Sequence, residues 1–600
     1  MKRFLPLSLV LWGFLVFLAP LFTFAQNPSV PAQSPSPIPA APIPPGIFGV
    51  GFTNITDSSA RLVFTTSEPM TSTVMIYDED KEFSRSSQSK PEEIHAVDLT
   101  GLSRGKEYKI AVTGVTVGGQ SVTSEKFTLK PAVRAASSHH WPGYTIFGTT
   151  MNGGSDAVLD LLTQSGVRMA LVEAPWDGLM PRGREIDRGW LDRFSRQIAE
   201  LKKRNIEPLV ILDYCVPWAK TYTDKTMTWS NRAFGPPDRL DDWEYYLRTI
   251  VTALHGSARY YEIWDEPDAG LLATGRYVER PNLPPPIGRP PFKDNWNYWL
   301  GDRYVPMISR VREVMDELQP DAVLMNGGWN RDYAGSRGDL LFERGIAPDL
   351  DVYAFHCYSG QPLSFSRWYD AIDGGFRKNI DRIFDKHHVR MPLAVTEWGW
   401  PAWGDPQPGK GFVSFEDSQK YFVKSTFYFL GLQRVEILGQ FCLGIGPDTR
   451  DKDPLFFMLA NQSADGKLVI QPTFKTFQWL ATTFGSRPYE AWPVQVRPSE
   501  QVKAVAIRLK DSGDTYLAVW QDGVPNDKGI IPAQPAREVA ASLELPDGKY
   551  TVQNLDLAGT KISESEVSAD HSLQLKTVLP EISFTSESGI YLAKITATKP

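Results

Sequence analysis

"ARYYEIWDEPDAG", residues 258–270, decides how the rest of the chain is read. The aromatic, apolar run from Tyr260 to Trp264 reads as a buried strand. It closes on Asp265-Glu266-Pro267-Asp268, three acids in four positions. Unpaired carboxylates are costly to take out of water, so a packed strand should not end this way unless something uses the charge.

Outward from that strand, strands and helices alternate. Upstream lie strand "YTIFGTTM", helical "DAVLDLLTQSGV", strand "VRMALVEAPW", helical "GWLDRFSRQIAELKKRNI", strand "PLVILDYCVPW" and helical "DDWEYYLRTIVTALHG". In the second of these helices Leu191, Phe194, Ile198 and Leu201 recur at helical spacing. Downstream follow helix "VPMISRVREVMDELQP", strand "AVLMNGGW", helical "GDLLFERG", strand "DVYAFHCYS" and a helix around 365–387. Strand "PLAVTEWGW", helix "DSQKYFVKSTFYFLGLQ", strand "VEILGQFCLG" and helix "TFKTFQWLATTFG" complete the series. Eight βα units between residues 143 and 484 predict an α/β fold, a (β/α)8 TIM barrel.

The flanks read differently. Residues 47–131 hold short alternating strands, among them "ARLVFTT" with Leu62 and Phe64 on one face, "STVMIYDE" and "KEYKIAVTGVTV", which predict a small N-terminal β-sandwich. In "LTGLSRGKEY", Tyr108 stands six residues after Leu102, which resembles the tyrosine corner of fibronectin type III modules. Phe64 stands where such modules usually carry a strand tryptophan. The resemblance implies a spacer. After residue 486 alternation returns in "VKAVAIRLK", "TYLAVWQDG", "KYTVQNLDLAG" and "GIYLAKI", so 486–600 predicts a C-terminal β-sandwich.

Residues 26–46, "QNPSVPAQSPSPIPAAPIPPG", read as a semi-rigid Pro-rich linker. Before them, Lys2 and Arg3 precede an apolar run from Phe4 to Phe24 that ends in Thr23-Phe24-Ala25, the pattern of a secretory signal peptide over 1–25. That places the protein as secreted, periplasmic or at the cell surface. An uncleaved membrane anchor is the alternative reading of the same run, and the one route to a membrane.

Composition narrows the function. A formal charge of −7 over 600 residues offers no basic face to nucleic acid. Cys215, Cys357 and Cys442 are too few for a disulfide framework and read as buried small hydrophobes. No His/Cys spacing suits a metal, so neither metal nor organic cofactor is expected. Oligomeric state is left open.

In such a barrel, polar residues at the C-terminal ends of strands are the candidates for chemistry. Glu266 ends the fourth strand and Glu397, in "LAVTEWGWP", ends the seventh. Two carboxyl groups across one pocket are what glycosidic cleavage needs: one gives a proton to the leaving oxygen, the other attacks the anomeric carbon or activates water. Either glutamate alone reads equally well as half of a structural ion pair. Together, beside Trp264, Trp398 and Trp400, they point to carbohydrate, because aromatic rings offer flat apolar faces to sugars.

These residues also resemble a known group. "YYEIWDEPD" and "TEWGW" resemble the acid/base and nucleophile motifs of clan A glycoside hydrolases. With "VRMALVEAPWDGLMP", "LKKRNIEPLVILDYCVPW" and "YAFHCY", the chain over 143–484 is most similar to family 39, the β-xylosidases, α-L-iduronidases and related bacterial polysaccharide hydrolases. The resemblance implies a retaining O-glycosyl hydrolase acting on an oligo- or polysaccharide, with Glu266 as acid/base and Glu397 as nucleophile. It implies that His356 and Tyr358 line the pocket and steady the nucleophile, although His356 also reads as a satisfied core histidine. Trp176, Asp213, Tyr214, Trp218, Asn326 and Trp329 end other strands and are candidates to touch substrate; each alone is also readable as packing. The rival reading is a carbohydrate-binding or cell-envelope scaffold protein with a degenerate barrel.

The chain departs from that pattern at Asp265, where the clan usually has Asn donating to the sugar 2-hydroxyl. An ionised Asp only accepts. It can accept from the 2-hydroxyl, pair with a 2-amino or 2-acylamino group, or mark a degenerate site. Two loops are also candidates: "GRYVERPNLPPPIGRPPFKDNW" (275–296), with Arg276, Arg280 and Arg289 as partners for an anionic sugar or as solvated charges, and "GPDTRDKDP" (446–454), as a calcium loop or a turn.

Overall fold

The computed structural model describes residues 45–598, apart from 133, 136, 152–153, 220–235, 269–296, 331–334, 358–375, 401, 404–412, 445–458, 463–466, 522–532 and 582–588. The signal and linker readings, Tyr358 and the loops at 275–296 and 446–454 therefore lie outside the described residues. No helix among those described is long and apolar enough to cross a membrane.

Eight parallel strands form the centre: Ile146–Thr150, Met169–Pro175, Glu207–Asp213, Tyr260–Ile263, Val323–Asn326, Tyr353–Cys357, Leu393–Trp398 and Val435–Gln440. Each of the first four pairs with the next in chain order, as do the sixth and the seventh, and the eighth returns to pair with the first. Bridges Met325–Val352 and Trp329–Phe355 join the fifth to the sixth and close the barrel. Helices Asp156–Ser165, Arg188–Lys203, Leu240–Leu254, Val305–Leu318, Ser336–Glu343, Phe376–Lys386, Phe415–Gly431 and Pro472–Phe484 follow the strands in turn. The second shows why they dock. Leu191, Phe194, Ile198 and Leu201 are its buried residues, and the Asp187 carboxylate caps it by accepting from the Trp190 N–H at 2.8 Å.

The two-residue period of each strand divides its side chains. Met169 and Leu171, Leu209 and Ile211, Val323 and Met325, and Val352 and Ala354 fill the barrel interior, together with Ile146, Tyr260, Ala394 and Ile437. The alternate residues, such as Ala170, Val172, Val210, Leu212, Ile263 and Phe355, belong to the layer between strands and helices.

Before the barrel, the strands from Ile47–Thr53 to Phe127–Leu129 form one hydrogen-bonded antiparallel sheet of six rather than two separate sheets. The long strand Ser59–Asp78 changes partners along its length. Its first half pairs with Ile47–Thr53 and its second with Tyr108–Thr116, while Lys81–Thr100 follows both halves. Register slips between Thr65 and Met70, where Pro69 can donate no ladder bond. Leu62, Phe64 and Tyr108 are buried in the enclosed core, and the Tyr108 hydroxyl accepts from the Ser103 N–H at 3.0 Å. After the barrel, a six-stranded and a three-stranded antiparallel sheet pack face to face. The outer face of the larger sheet, through Ile507, Tyr516 and Trp520, continues the barrel's own core. All three cysteines are buried, and no disulfide forms among the described residues.

Candidate active site

The inward alternation, carried to the C-terminal ends of the strands, delivers Glu173, Asp213, Glu262, His356 and Thr396 to the barrel mouth. Each stands two residues beyond an interior apolar residue: Leu171, Ile211, Tyr260, Ala354 and Ala394. The floor of the mouth is therefore polar and mostly acidic.

The end of the fourth strand is strained. Trp264 and Glu266 adopt left-handed backbone angles, φ 70° and 42°, which cost about 1–3 kcal/mol each for residues with a side chain. The fifth strand approaches closely: a Cβ on Gly327 would stand 2.6 Å from the Trp264 carbonyl oxygen. Support comes from Asp268, which is buried, pairs with Arg337 at 2.5 Å and accepts from the Asn330 N–H at 2.7 Å. The Asn330 amide in turn donates to Glu266. Pro267 leads out of the strand, and Asp268 holds the turn.

His356 joins the two glutamates. Its Nδ1 lies 3.0 Å from Glu266 Oε1 and 3.2 Å from Glu397 Oε2, and its Nε2 lies 3.8 Å from Asp265 Oδ1. Burial alone pulls the imidazole pKa down, but Glu397, Glu266 and Asp265 together drive it well above its ordinary value. The three carboxyl groups thus draw the ring toward its protonated form. One ligand atom each from Asp265, His356 and Glu397 lie within 4.8 Å of one another, close enough to hold a metal ion. A protonated imidazole offers no lone pair, so in this state the trio is an electrostatic cluster.

Glu262 lies below. Its Oε1 accepts from the Gly328 N–H at 2.7 Å and the Thr396 hydroxyl at 2.9 Å, while Oε2 has no partner. Burial raises its pKa to about 8. Gly328 is required there, because a Cβ would meet the His356 ring at 2.1 Å.

On the other side, Tyr214 donates to Asp265 Oδ2 at 2.7 Å. Burial, then Asp265, pushes the Tyr214 hydroxyl well up, so it stays a donor. Asp265 is raised to about 6 by burial and by Glu266. Glu173 is reached by solvent through the mouth yet crowded by protein, and that crowding, with Asp265 and Asp177, raises it to about 7. Asp213 is fully buried with neither carboxylate oxygen hydrogen-bonded, and its pKa is driven well up by burial and by Glu173 and Asp265.

The structure therefore gathers Asp213, Tyr214, Asp265, Glu266, His356 and Glu397. Other candidates sit elsewhere. Asn326 takes the outward alternation, where its side chain bonds Gly327 and Ala354 and clips the fifth strand to the sixth. Trp176 is buried, stacked on Tyr246, tilted against Trp243 and edge-on to Trp218. The Trp218 indole is tied to the Met180 carbonyl at 2.8 Å. Trp398 donates to Ser425 and packs on Phe422, and Trp400 stacks on Tyr421. Trp329 is buried, its backbone bridged to the sixth strand. Glu173, Glu262 and Asn330 were missed by sequence reasoning. The first two were findable by counting in twos from Leu171 and Tyr260. Asn330 was not, since a turn carries no such period.

No family model matches the chain. A family 39 glycoside hydrolase from the gut symbiont Bacteroides cellulosilyticus WH2 superposes with a TM-score of 0.50 at 13% identity, covering 92% of this chain and 100% of that one. The likeness is one of fold. It extends over the flanking domains as well as the barrel. An exo-β-1,4-mannosidase from Opitutaceae bacterium strain TAV5 is 14% identical over 58% of this chain and 62% of its own, with a TM-score of 0.37. Among curated proteins, beta-glucosidase 47 of Arabidopsis thaliana is 26% identical over 167 residues, 27% of this chain. The chain spans 28% of that relative's length.

Proposed function

We propose that the protein is an exported retaining glycoside hydrolase acting on an oligo- or polysaccharide, with Glu266 as acid/base and Glu397 as nucleophile. One observation carries this reading. An oxygen of each glutamate lies 3.0 or 3.2 Å from the same histidine nitrogen, so the two oxygens are no further apart than the sum of those distances, 6.2 Å. Both carboxyl groups therefore face one small volume, as a double displacement at one anomeric carbon needs, and the retaining outcome is what the motifs around Glu266 and Glu397 imply. The fold likeness to a family 39 glycoside hydrolase is consistent with this reading.

In the first step Glu397 attacks the anomeric carbon as Glu266 gives its proton to the departing oxygen, and a glycosyl ester forms on Glu397. In the second, Glu266 takes a proton from water, the water oxygen attacks the same carbon, and the Glu397 carboxylate leaves. His356 is a positioning residue. As a cation within reach of both acids, it favours the ionised nucleophile and fixes its distance from the acid/base.

The test is hydrolysis of aryl glycosides and extracted polysaccharide, with loss in both Glu266→Ala and Glu397→Ala. A 2-fluoro-sugar should leave a covalent adduct on Glu397 in peptide mass spectrometry. An adduct elsewhere, or hydrolysis that survives both substitutions, refutes the assignment.

A further inference from the structure

We infer that Asn330 is the positioning residue of the acid/base: its side-chain amide, held from behind by Asp268 and Arg337, sets the Glu266 carboxyl so that Oε2 carries the proton to the leaving oxygen. This rests on the hydrolase reading and adds a residue to that same site.

A chain of bonds leads from the mouth into the protein. Arg337 pairs with the Asp268 carboxylate at 2.5 Å, and the Asp268 side chain is wholly shielded from solvent. Asp268 Oδ1 accepts from the Asn330 backbone N–H at 2.7 Å. The Asn330 side-chain amide then donates to Glu266 Oε1. A shielded ion pair thus fixes the Asn330 backbone, and a short side chain carries that fix to Glu266 with little freedom of its own.

Glu266 needs such a hold. Its side chain keeps 17% of its surface exposed at the mouth, so the carboxyl can turn unless bonds restrain it. His356 Nδ1 stands 3.0 Å from the same Oε1, but also 3.2 Å from Glu397 Oε2, and one ring N–H has to serve both. Asn330 brings amide hydrogens that do not depend on that sharing.

Where the bonds land decides which oxygen works. Asn330 and His356 converge on Oε1, which is therefore the accepting oxygen. A protonated carboxyl has a single O–H, and with Oε1 accepting, that O–H sits on Oε2. In the first step Oε2 gives its proton to the glycosidic oxygen as the bond to the anomeric carbon breaks, leaving Glu266 a carboxylate. In the second, Oε2 takes a proton from the attacking water. Oε1 accepts in both states, so the Asn330 bond persists throughout. Proton transfer needs hydrogen-bond reach, about 2.6–3.2 Å, and a carboxyl free to turn loses rate wherever the proton matters.

A merely structural tie at the turn would slow every substrate alike, whereas a positioned acid matters only where the leaving group needs a proton. The experiment uses the full chain and aryl glycosides of common pyranoses in both anomers. On a sugar that the wild type hydrolyses, the series runs from 2,4-dinitrophenyl, which leaves unaided, to phenyl, which needs the proton. The readout is kcat/KM, which stops at the first step. Asn330→Ala should lose about 10- to 100-fold on the phenyl glycoside, part of the ~10²–10⁴ that general acid catalysis supplies, and less than about 3-fold on the dinitrophenyl one. Glu266→Ala should show the same split, larger. Equal losses at both ends of the series in Asn330→Ala, or none, beside a split in Glu266→Ala, overturn the inference and leave the hydrolase reading intact. No turnover by the wild type, or no split in Glu266→Ala, overturns the hydrolase assignment and the inference with it. Where Asn330→Ala does not fold, Asn330→Leu, similar in shape but without the amide, is read in the same way.

Discussion

Glu262→Gln should reverse sign with pH in its effect on stability. The Glu262 carboxyl is fully enclosed in the barrel and stays neutral until about pH 8, against an ordinary value of 4.5. In the unfolded chain it ionises near the ordinary value. Between those limits the folded state binds a proton that the unfolded state has released, so stability falls as pH rises and the loss levels off above pH 8. At about 1.4 kcal/mol per pH unit, ionising Glu262 withdraws about 5 kcal/mol over that window. Glutamine escapes this. Its amide oxygen can accept from Gly328 and Thr396, but its NH2 falls where Oε2 has no partner, a cost of about 1–3 kcal/mol at every pH. The variant should therefore be less stable than wild type at pH 5 and more stable by about 2–4 kcal/mol at pH 8.5. Urea unfolding at pH 5, 7 and 8.5, followed by tryptophan fluorescence, measures the difference, and the other raised acids are present in both proteins. Parallel curves for the two proteins would refute the assignment of a buried neutral carboxyl to Glu262.

Gly328→Ala puts a methyl 2.1 Å from the His356 ring, so kcat should fall about 100-fold from a displaced imidazole while the far-UV spectrum is kept; full activity would show that the ring has room to move. His356→Gln removes the cation between Glu266 and Glu397, and kcat should fall by about 10²–10³, with KM for aryl glycosides changed far less. Equal losses in kcat and 1/KM would instead assign His356 to substrate binding. Asp268→Ala strips the buried partner from Arg337 and should cost about 3–5 kcal/mol, seen as a drop in the melting temperature of the barrel. A melting temperature within a degree of wild type would show that the pair is not what holds the turn.

The barrel was legible because its signal is periodic. Leu191, Phe194, Ile198 and Leu201 announced a helix, and that helix docks by those residues. The acids at Glu266 and Glu397 were legible because charge at the end of an apolar run contradicts packing. Less visible was which strand-end side chain faces the mouth. Trp176, Asn326 and Trp398 end strands as conspicuously as Asp213, yet they lie in the strand–helix layer or its caps, because a step of one residue moves a side chain to the other face. Counting in twos from Leu171 would have found Glu173. The single folded-over N-terminal sheet was hidden for another reason: the alternation in "ARLVFTT" and "STVMIYDE" is the same whether one strand passes through both segments or two strands pair there.

Several of the costly features of this barrel lie at its mouth. Left-handed backbone at Trp264 and Glu266, an unpartnered Asp213 and an enclosed Glu262 all border one small volume at the mouth. The surroundings are built to hold them: Trp264 is wedged against Tyr214 and Trp243, and Asp268 anchors the turn through Arg337 and Asn330. That anchoring fixes the backbone but not the charge, because Asp268 is matched by its own arginine and none of its partners offsets Asp213, Glu173 or Asp265. The backbone strain is therefore balanced by packing and ion pairing, while the burial of Asp213 and Glu173 is met by carboxyls drawn toward their protonated form.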